Sequence, residues 1–412
     1  MIYGCIGERL SHSFSKEIHN ILADYPYELC EVARDKLDAF ATKRDFKAIN
    51  VTIPYKELII PHLYRIDEHA RAIGAVNTVV NRDGLLWGYN TDFYGLSELL
   101  RHAGVDVTDK KVLILGTGGT SKTALAVTKS LGAREILRVS RTEREGAISY
   151  EEMYRSHTDA EVIINTSPKG MYPDCDGVSV DIASFDRLTG VIDAIYNPLR
   201  TRLVSDALAR GIAAEGGLYM LVAQGVRASE IFLDTKYPDG ECDRVYRKIL
   251  GDKENIVLIG MPASGKTTVG AILAALTGRE VIDTDEEIVK ASGRQIPEIF
   301  ATDGEQIFRD MESAAVAEAA KKTQRIISTG GGAILRRENV YRLKQNGRVF
   351  FIDRPLDMLL PTADRPLSKT RDAIEKRYSE RYGLYSSLCD VRIDADTSAE
   401  NVAKAILKEF CK

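Results

Sequence analysis

Unbroken apolar runs punctuate the chain, and each is followed by an amphipathic stretch. The runs are Lys111-Val-Leu-Ile-Leu-Gly116, Glu135-Ile-Leu-Arg-Val139, Val162-Ile-Ile164, Gly190-Val-Ile-Asp193, Asn255-Ile-Val-Leu-Ile-Gly260, Val281-Ile282, Arg325-Ile-Ile327 and Arg348-Val-Phe-Phe-Ile352. A run that does not alternate is a strand buried on both faces, the habit of parallel sheets covered by helices. Strands alternating with helices predict α/β architecture with doubly wound sheets. Two of the runs enter a glycine turn and then an Ala-rich helical pattern, so each opens an α/β unit.

The polar stretch Tyr237-Pro-Asp-Gly-Glu-Cys-Asp243 and the charged Lys248–Asn255 place a boundary at 246–254, and another falls near 100–109. The expected organisation is a substrate lobe over 1–103, completed by a return of about 220–245. A Rossmann lobe follows over 104–245, then a link over 246–254 and a phosphate-loop domain with a flanked parallel sheet over 255–412.

Composition narrows the function class. At about 150 residues per domain, 412 residues make two or three domains. With 44% hydrophobic and 28% charged residues the chain is an ordinary globular protein. Lys plus Arg number 56 and Asp plus Glu 60, a net charge of −4, so no global field draws in nucleic acid or anionic lipid. Anionic ligands must be held by local sites. The six cysteines form no Cys-x-x-Cys pair, which predicts reduced thiols and no zinc. Glu8 and Arg9 stand where a signal peptide needs apolar residues, and no apolar run is long enough for a bilayer. The expectation is a cytoplasmic enzyme of small molecules, without nucleic-acid or membrane partners; homo-oligomerisation stays open.

Gly260-Met-Pro-Ala-Ser-Gly265-Lys266-Thr267-Thr268 fits the phosphate-loop pattern in full, between a buried strand and a helix. In such a loop backbone amides converge on phosphate, Lys266 reaches the β- and γ-oxygens, and the Thr267 hydroxyl ligates Mg²⁺. Downstream, Asp283-Thr-Asp285 closes the next strand, with Asp283 suited to the Mg²⁺ shell and Asp285 to holding an acceptor hydroxyl. Arg309 and Arg381 suit a small carboxylate, which the guanidinium fork binds in its plane.

These motifs continue in order through Phe308-Arg309, Gly330-Gly331-Gly332, Asp364-Arg365-Pro366-Leu367 and Arg381-Tyr-Gly-Leu-Tyr385, and the series resembles shikimate kinase over 255–410. The resemblance implies that Asp285, Arg309, Gly331 and Arg381 hold shikimate, and that Arg365 sits on a lid over the phosphates of ATP. The lid departs from the family pattern, since Leu359-Leu-Pro-Thr-Ala-Asp364 carries no second basic residue.

Gly116-Thr-Gly118-Gly119-Thr-Ser121 forms the earlier glycine turn. The next strand ends at Ser140-Arg141-Thr142 instead of the acidic residue that binds a ribose 2′-hydroxyl, which favours the 2′-phosphate of NADP(H). Ahead of this lobe lie Ser11-His-Ser13-Phe-Ser15, Asn50-Val-Thr52-Ile-Pro-Tyr-Lys56-Glu57, Gly74-Ala-Val-Asn77-Thr78 and Asn90-Thr91-Asp92. One Lys and one Asp among amides and hydroxyls suit a polyhydroxylated ring and proton transfer at one oxygen.

With Asn165-Thr-Ser-Pro-Lys-Gly170, Tyr196-Asn-Pro198 and Met220-Leu-Val-Ala-Gln224, these clusters resemble shikimate dehydrogenase over 1–245. By that resemblance Ser13 and Ser15 hold the substrate carboxylate, Thr52, Asn77 and Gln224 hold ring hydroxyls, and Lys56 with Asp92 is the catalytic pair. Gly116, Gly118, Gly119, Ser140, Arg141, Thr142 and Tyr196 would hold the NADP. Asp92 also suits a helix N-cap, and His12 and His19 read as structural. Departures are Tyr89 in place of Asp, Tyr219 where a small residue beside the nicotinamide is usual, and Glu145 where the phosphate clamp has a base. The two resemblances together imply NADPH reduction of 3-dehydroshikimate to shikimate, then ATP-dependent phosphorylation. A quinate- or shikimate-sensing regulator, and an NAD-dependent quinate or shikimate dehydrogenase fused to a kinase, are the alternatives.

Overall fold

The apolar runs become the central strands of parallel sheets. The computed structural model describes residues 2–8, 10, 14–360 and 370–411. They divide into two compact units, Met1–Ile249 and Leu250–Lys412.

The first unit holds two sheets. One is mixed: β1 (Tyr3–Gly7), β2 (Tyr27–Glu31), β3 (Ala48–Val51), β4 (Arg65–Ile66), β5 (Thr78–Arg82) and β6 (Leu85–Tyr89), in the order β2-β1-β3-β5-β6-β4. Strand β5 runs antiparallel to both β3 and β6. The other sheet is wholly parallel: β7 (Lys111–Leu115), β8 (Glu135–Ser140), β9 (Ile148–Ser149), β10 (Val162–Asn165), β11 (Gly190–Asp193) and β12 (Ala213–Glu215). Its order is β12-β11-β10-β7-β8-β9, so the winding reverses between β7 and β10 and opens a crevice at their carboxyl ends.

The helix Leu218–Leu233 ties the two sheets together. Its first turns pack Tyr219, Met220 and Ala223 with Val112 and Ile114, and its last turns pack Ala228 and Phe232 with Cys5 and Tyr27. A 16-residue apolar helix with Gln224 midway is therefore buried on nearly every side, which holds that amide in place.

The second unit has one parallel sheet: β13 (Asn255–Ile259), β14 (Glu280–Asp283), β15 (Arg325–Ser328), β16 (Gly347–Asp353) and β17 (Val391–Asp394), in the order β14-β15-β13-β16-β17. Successive side chains of β13 enter opposite cores, Ile256 and Leu258 on one face, Val257 and Ile259 on the other. This two-sided burial is why the strand reads as a continuous apolar run.

The unit boundary lies inside the helix Glu241–Lys253, so residues 246–253 are helical where the sequence suggested a link. No helix among the described residues is long and apolar enough to cross a membrane.

Candidate active sites

In the first unit, β3 delivers Thr52 and then the short helix Tyr55–Leu58, which carries Lys56. Its Nζ donates to Asp92 Oδ2 at 2.6 Å, with side-chain exposures of 22% and 13%. Asp92 sits in the first turn of the helix Thr91–His102. The cap of that helix is Asn90, whose Oδ1 accepts from Phe93 N at 3.2 Å, so the Asp92 carboxylate faces Lys56 instead of capping. A half-buried ion pair of this kind strengthens as water is excluded.

Amides and hydroxyls continue from the pair in a buried chain. Asn77 Oδ1 accepts from Thr91 N at 2.7 Å, and Thr91 Oγ1 donates to Gln224 Oε1 at 3.3 Å. Behind them Asn50 Nδ2 donates to Thr78 Oγ1 at 3.2 Å and Asn50 Oδ1 accepts from Tyr27 OH at 2.6 Å. Ser15 opens the helix Ser15–Leu22. Ser13 and His12 lie outside the described residues. His19 is fully buried, shares a 2.6 Å hydrogen bond between Nδ1 and Tyr25 OH, and stacks on Tyr27. Burial pushes its pKa down to about 3, so it is a neutral core histidine.

The crevice of the parallel sheet lies at the end of β7. Gly116 has φ +114°, and a Cβ there would stand 2.8 Å from Thr166 Oγ1, so only glycine fits. Beyond it the helix Gly119–Ser130 starts with Gly118 as cap, and a Cβ built on Gly118 or Gly119 meets nothing within 4 Å. Open space before exposed helical amides fits a diphosphate. At the tip of β8, Ser140 Oγ accepts from Thr142 N at 3.3 Å, while Arg141, Thr142, Glu143, Arg144 and Glu145 are exposed. Tyr196 meets Phe14 ring to ring at 5.4 Å, and burial raises its phenol pKa.

Tyr219 does not enter this crevice. It is 1% exposed, stacks on His102 at 3.8 Å and donates to Asp243 Oδ1 at 2.8 Å. The larger ring is absorbed by the helix Glu241–Lys253, which packs against it through Asp243 and Tyr246.

In the second unit, Gly260 leads β13 into the phosphate loop, and Gly265 caps the helix Lys266–Thr277 with Thr268 in its first turn. Lys266 Nζ donates to Gly260 O at 3.0 Å and Met261 O at 2.9 Å, inside the loop. Thr267 Oγ1 donates to Asp283 Oδ2 at 3.3 Å. Asp283 Oδ1 accepts from Asp285 N at 3.0 Å, capping the helix Thr284–Ser292 and fixing Asp285 beside it.

A cavity of about 550 Å³ opens between these groups, lined by Thr267, Asp283, Asp285, Arg309, Gly331 and Arg381 among others. Arg309 and Arg381 are only 8% and 7% exposed, so neither is a solvated surface charge. Arg309 is held by Glu312 at 2.8 Å and Glu305 at 3.0 Å, and Arg381 donates to Gly331 O at 2.9 Å. A Cβ on Gly332 would stand 2.0 Å from Arg309 Nη1, so the glycine triplet is what lets the guanidinium in. Arg365 lies outside the described residues.

Sequence reasoning missed the residues that hold these groups. Glu312 had a signal, its i+3 spacing from Arg309. Tyr385, whose OH donates to Gly331 O at 2.6 Å, closes the motif that begins at Arg381; the Lys122–Glu57 ion pair at 2.7 Å, which joins the dinucleotide helix to the residue after Lys56, had no signal.

The chain is 34% identical over 276 residues to the shikimate dehydrogenase (NADP(+)) of Clostridium perfringens strain SM101, covering 60% of this chain and 98% of that protein. The chain belongs to the shikimate dehydrogenase family. The family model for the shikimate dehydrogenase substrate binding domain matches residues 5–79, and that for shikimate kinase matches residues 262–411. The chain therefore joins a shikimate dehydrogenase to a shikimate kinase. Among solved structures, a chorismate mutase/shikimate 5-dehydrogenase fusion from Clostridium acetobutylicum is 35% identical with a TM-score of 0.57, covering 60% of this chain and 96% of that one. A shikimate 5-dehydrogenase from Thermus thermophilus, in complex with NADP(H) and shikimate, is 25% identical with a TM-score of 0.55, covering 60% of this chain and 99% of that one.

Proposed function

We propose that the chain carries out two consecutive reactions in the cytoplasm: NADPH-dependent reduction of 3-dehydroshikimate to shikimate, and ATP-dependent phosphorylation of the shikimate 3-hydroxyl. The observation that carries this reading is the Lys56–Asp92 pair at 2.6 Å, ringed by the amides that would hold a hydroxylated ring. Ser13, Ser15, Thr52, Asn77 and Gln224 are assigned to the substrate.

NADPH, when bound, supplies the hydride. The chain's own part is to bind the ring and to move a proton at one oxygen. As charge develops on the carbonyl oxygen, the Lys56 ammonium donates a proton to it, and Asp92 holds that ammonium in line. The open space at Gly118 and Gly119 fits the diphosphate, and the exposed Arg141 and Thr142, with Ser140 buried beneath them, fit a 2′-phosphate. Tyr196, which meets the Phe14 ring, is assigned to the dinucleotide.

In the kinase, Asp285 orients the 3-hydroxyl and accepts its proton, while Arg309 and Arg381 hold the carboxylate with Gly331. Lys266 and the loop amides hold the ATP phosphates, and Arg365 is assigned to the lid over them. Thr267 and Asp283, 3.3 Å apart on the cavity wall, would hold Mg²⁺, which would supply positive charge to the transferring phosphate. Positioning and charge are most of what phosphoryl transfer needs.

A coupled assay tests the whole. Full-length protein with 3-dehydroshikimate, NADPH, ATP and Mg²⁺ is expected to consume NADPH and accumulate shikimate 3-phosphate. No NADPH consumption would overturn the first half, and shikimate left unphosphorylated would overturn the second.

A further inference from the structure

At the end of β11 the Asp193 carboxylate is fully buried and accepts three hydrogen bonds. Asn165 Nδ2 donates to Oδ1 at 2.9 Å, Ile195 N to Oδ1 at 3.1 Å, and Thr201 Oγ1 to Oδ2 at 2.7 Å. Two of these donors, Asn165 and Ile195, lead to different sides of the dinucleotide crevice. Asn165 ends β10, and its Oδ1 accepts from Ser167 N at 3.1 Å and Ser167 Oγ at 2.7 Å. That fixes the turn whose Thr166 lies against Gly116. The Ile195 amide immediately precedes Tyr196. Ile195 O accepts from Gly217 N at 2.8 Å, and Gly217 heads the helix that carries Gln224. A Cβ on Gly217 would stand 2.2 Å from Ala194 O, so this seat is tight. Thr201 caps the helix Arg202–Ala209.

The choice of a carboxylate here is informative. Burial pushes the Asp193 carboxyl up to about 6, with the three donors pulling against it, so the site costs stability near neutrality. An apolar residue would avoid that cost but leave three buried donors without an acceptor. An ionised carboxylate, however, is acceptor-only and can take every donor at once, whereas an amide would set its NH₂ against one of them.

We infer that Asp193 is a positioning residue of the dehydrogenase, acting through Asn165, Ile195 and Thr201 to hold the loops that flank the dinucleotide. This rests on the reading that the crevice takes NADP(H). The test is Asp193→Asn in the full chain, with the Kd for NADP⁺ measured by calorimetry beside steady-state kinetics. Kd and the KM for NADPH are expected to rise about tenfold, with kcat at saturation within about threefold. Phosphorylation of shikimate, read in the same sample, stays at the parent rate, and Trp87 fluorescence matching the parent reports a folded first unit. A Kd within about twofold of the parent overturns the inference. Should that variant fail to fold, Thr201→Val keeps the carboxylate and deletes one donor, with an expected Kd increase of about threefold; an unchanged Kd again overturns it. A parent chain that binds NADP⁺ yet turns over no substrate overturns the dehydrogenase reading while Kd still decides the role of Asp193. A parent that binds no NADP⁺ overturns both.

Discussion

The two glycine turns start alike and end differently. In each, the first glycine lies where a neighbouring strand end passes too close for a side chain: Gly116 against Thr166, and Gly260 against the Ile352 carbonyl at 2.8 Å from a built Cβ. In the kinase the cation is then part of the turn, with Lys266 Nζ bonded to two of the loop's own carbonyls. The dehydrogenase turn contains no cation at all. Its positive charge stands a strand away on the exposed segment after β8, and Lys56, proposed as the proton donor, follows a strand of another sheet. Charge is concentrated around one cavity in the second unit and distributed over three elements in the first. Concentration lets one substitution damage binding and chemistry together, whereas distribution lets them be separated.

The largest expected effect tests that separation. Lys56→Ala should lower kcat for reduction by about 10²–10⁴, the range for a positioned general acid, and leave the Kd for NADP⁺ within about twofold. Phosphorylation by the same protein should be unchanged. A tenfold loss of NADP⁺ affinity would show that the first unit is not divided in this way.

Lys266→Ala comes next, with an expected loss of about 10²–10³ in phosphorylation, the scale of removing one preorganised donor from a developing charge. Here KM for ATP should rise together with the fall in kcat, because the same ammonium serves both. Reduction of 3-dehydroshikimate is the internal control. A variant with altered kcat and unaltered ATP affinity would contradict the concentrated arrangement.

Arg141→Ala should be milder. Losing one charge-assisted contact at an exposed rim is expected to raise the Kd for NADP⁺ about tenfold, leave that for NAD⁺ nearly unchanged, and spare kcat. An equal loss for both dinucleotides would mean that Arg141 does not face the 2′-phosphate. A parent that prefers NAD⁺ would revive the catabolic dehydrogenase alternative.

What could be read in advance follows the same division. The phosphate loop was legible because its residues are consecutive, and backbone geometry alone gives Gly265, Lys266 and Thr267 their places. The strands were legible because burial on both faces leaves an unbroken apolar run, as in Ile256–Ile259. Lys56 and Asp92 could be named from local motifs, yet their 2.6 Å contact joins residues 36 apart and needed the fold. Asp193 was visible only as the end of a strand, since its partners lie 28 residues before it and eight after it. The surroundings of Tyr219 were hidden for a related reason: Asp243 and Tyr246, which pack against it, belong to the helix Glu241–Lys253, whose second half read as a link over 246–254.

The smallest expected effect concerns pH, and it sharpens the contrast between the units. All six histidines fall in the first unit, and residues 250–412 contain none. His19, at about 3 when folded against an ordinary 6.5, takes its proton first in the unfolded chain. Its contribution is lost as pH falls, by about 2 kcal/mol between pH 7 and pH 5. Asp193 has the opposite sign. Raised from 3.8 to about 6, it takes its proton first in the folded chain, so its stabilising contribution is full below 3.8 and lost as pH rises through 6. The same acidification therefore returns about 1 kcal/mol, and the two buried groups together cost about 1 kcal/mol. The single tryptophan, Trp87, lies in the first unit, so urea unfolding followed by its fluorescence reads that unit alone in the intact chain. Asp193→Asn should remove the compensating gain and steepen the loss by about 1 kcal/mol over this range. If the variant and the parent lose the same stability between pH 7 and pH 5, the Asp193 carboxyl is not raised by burial and is not kept at a cost to stability.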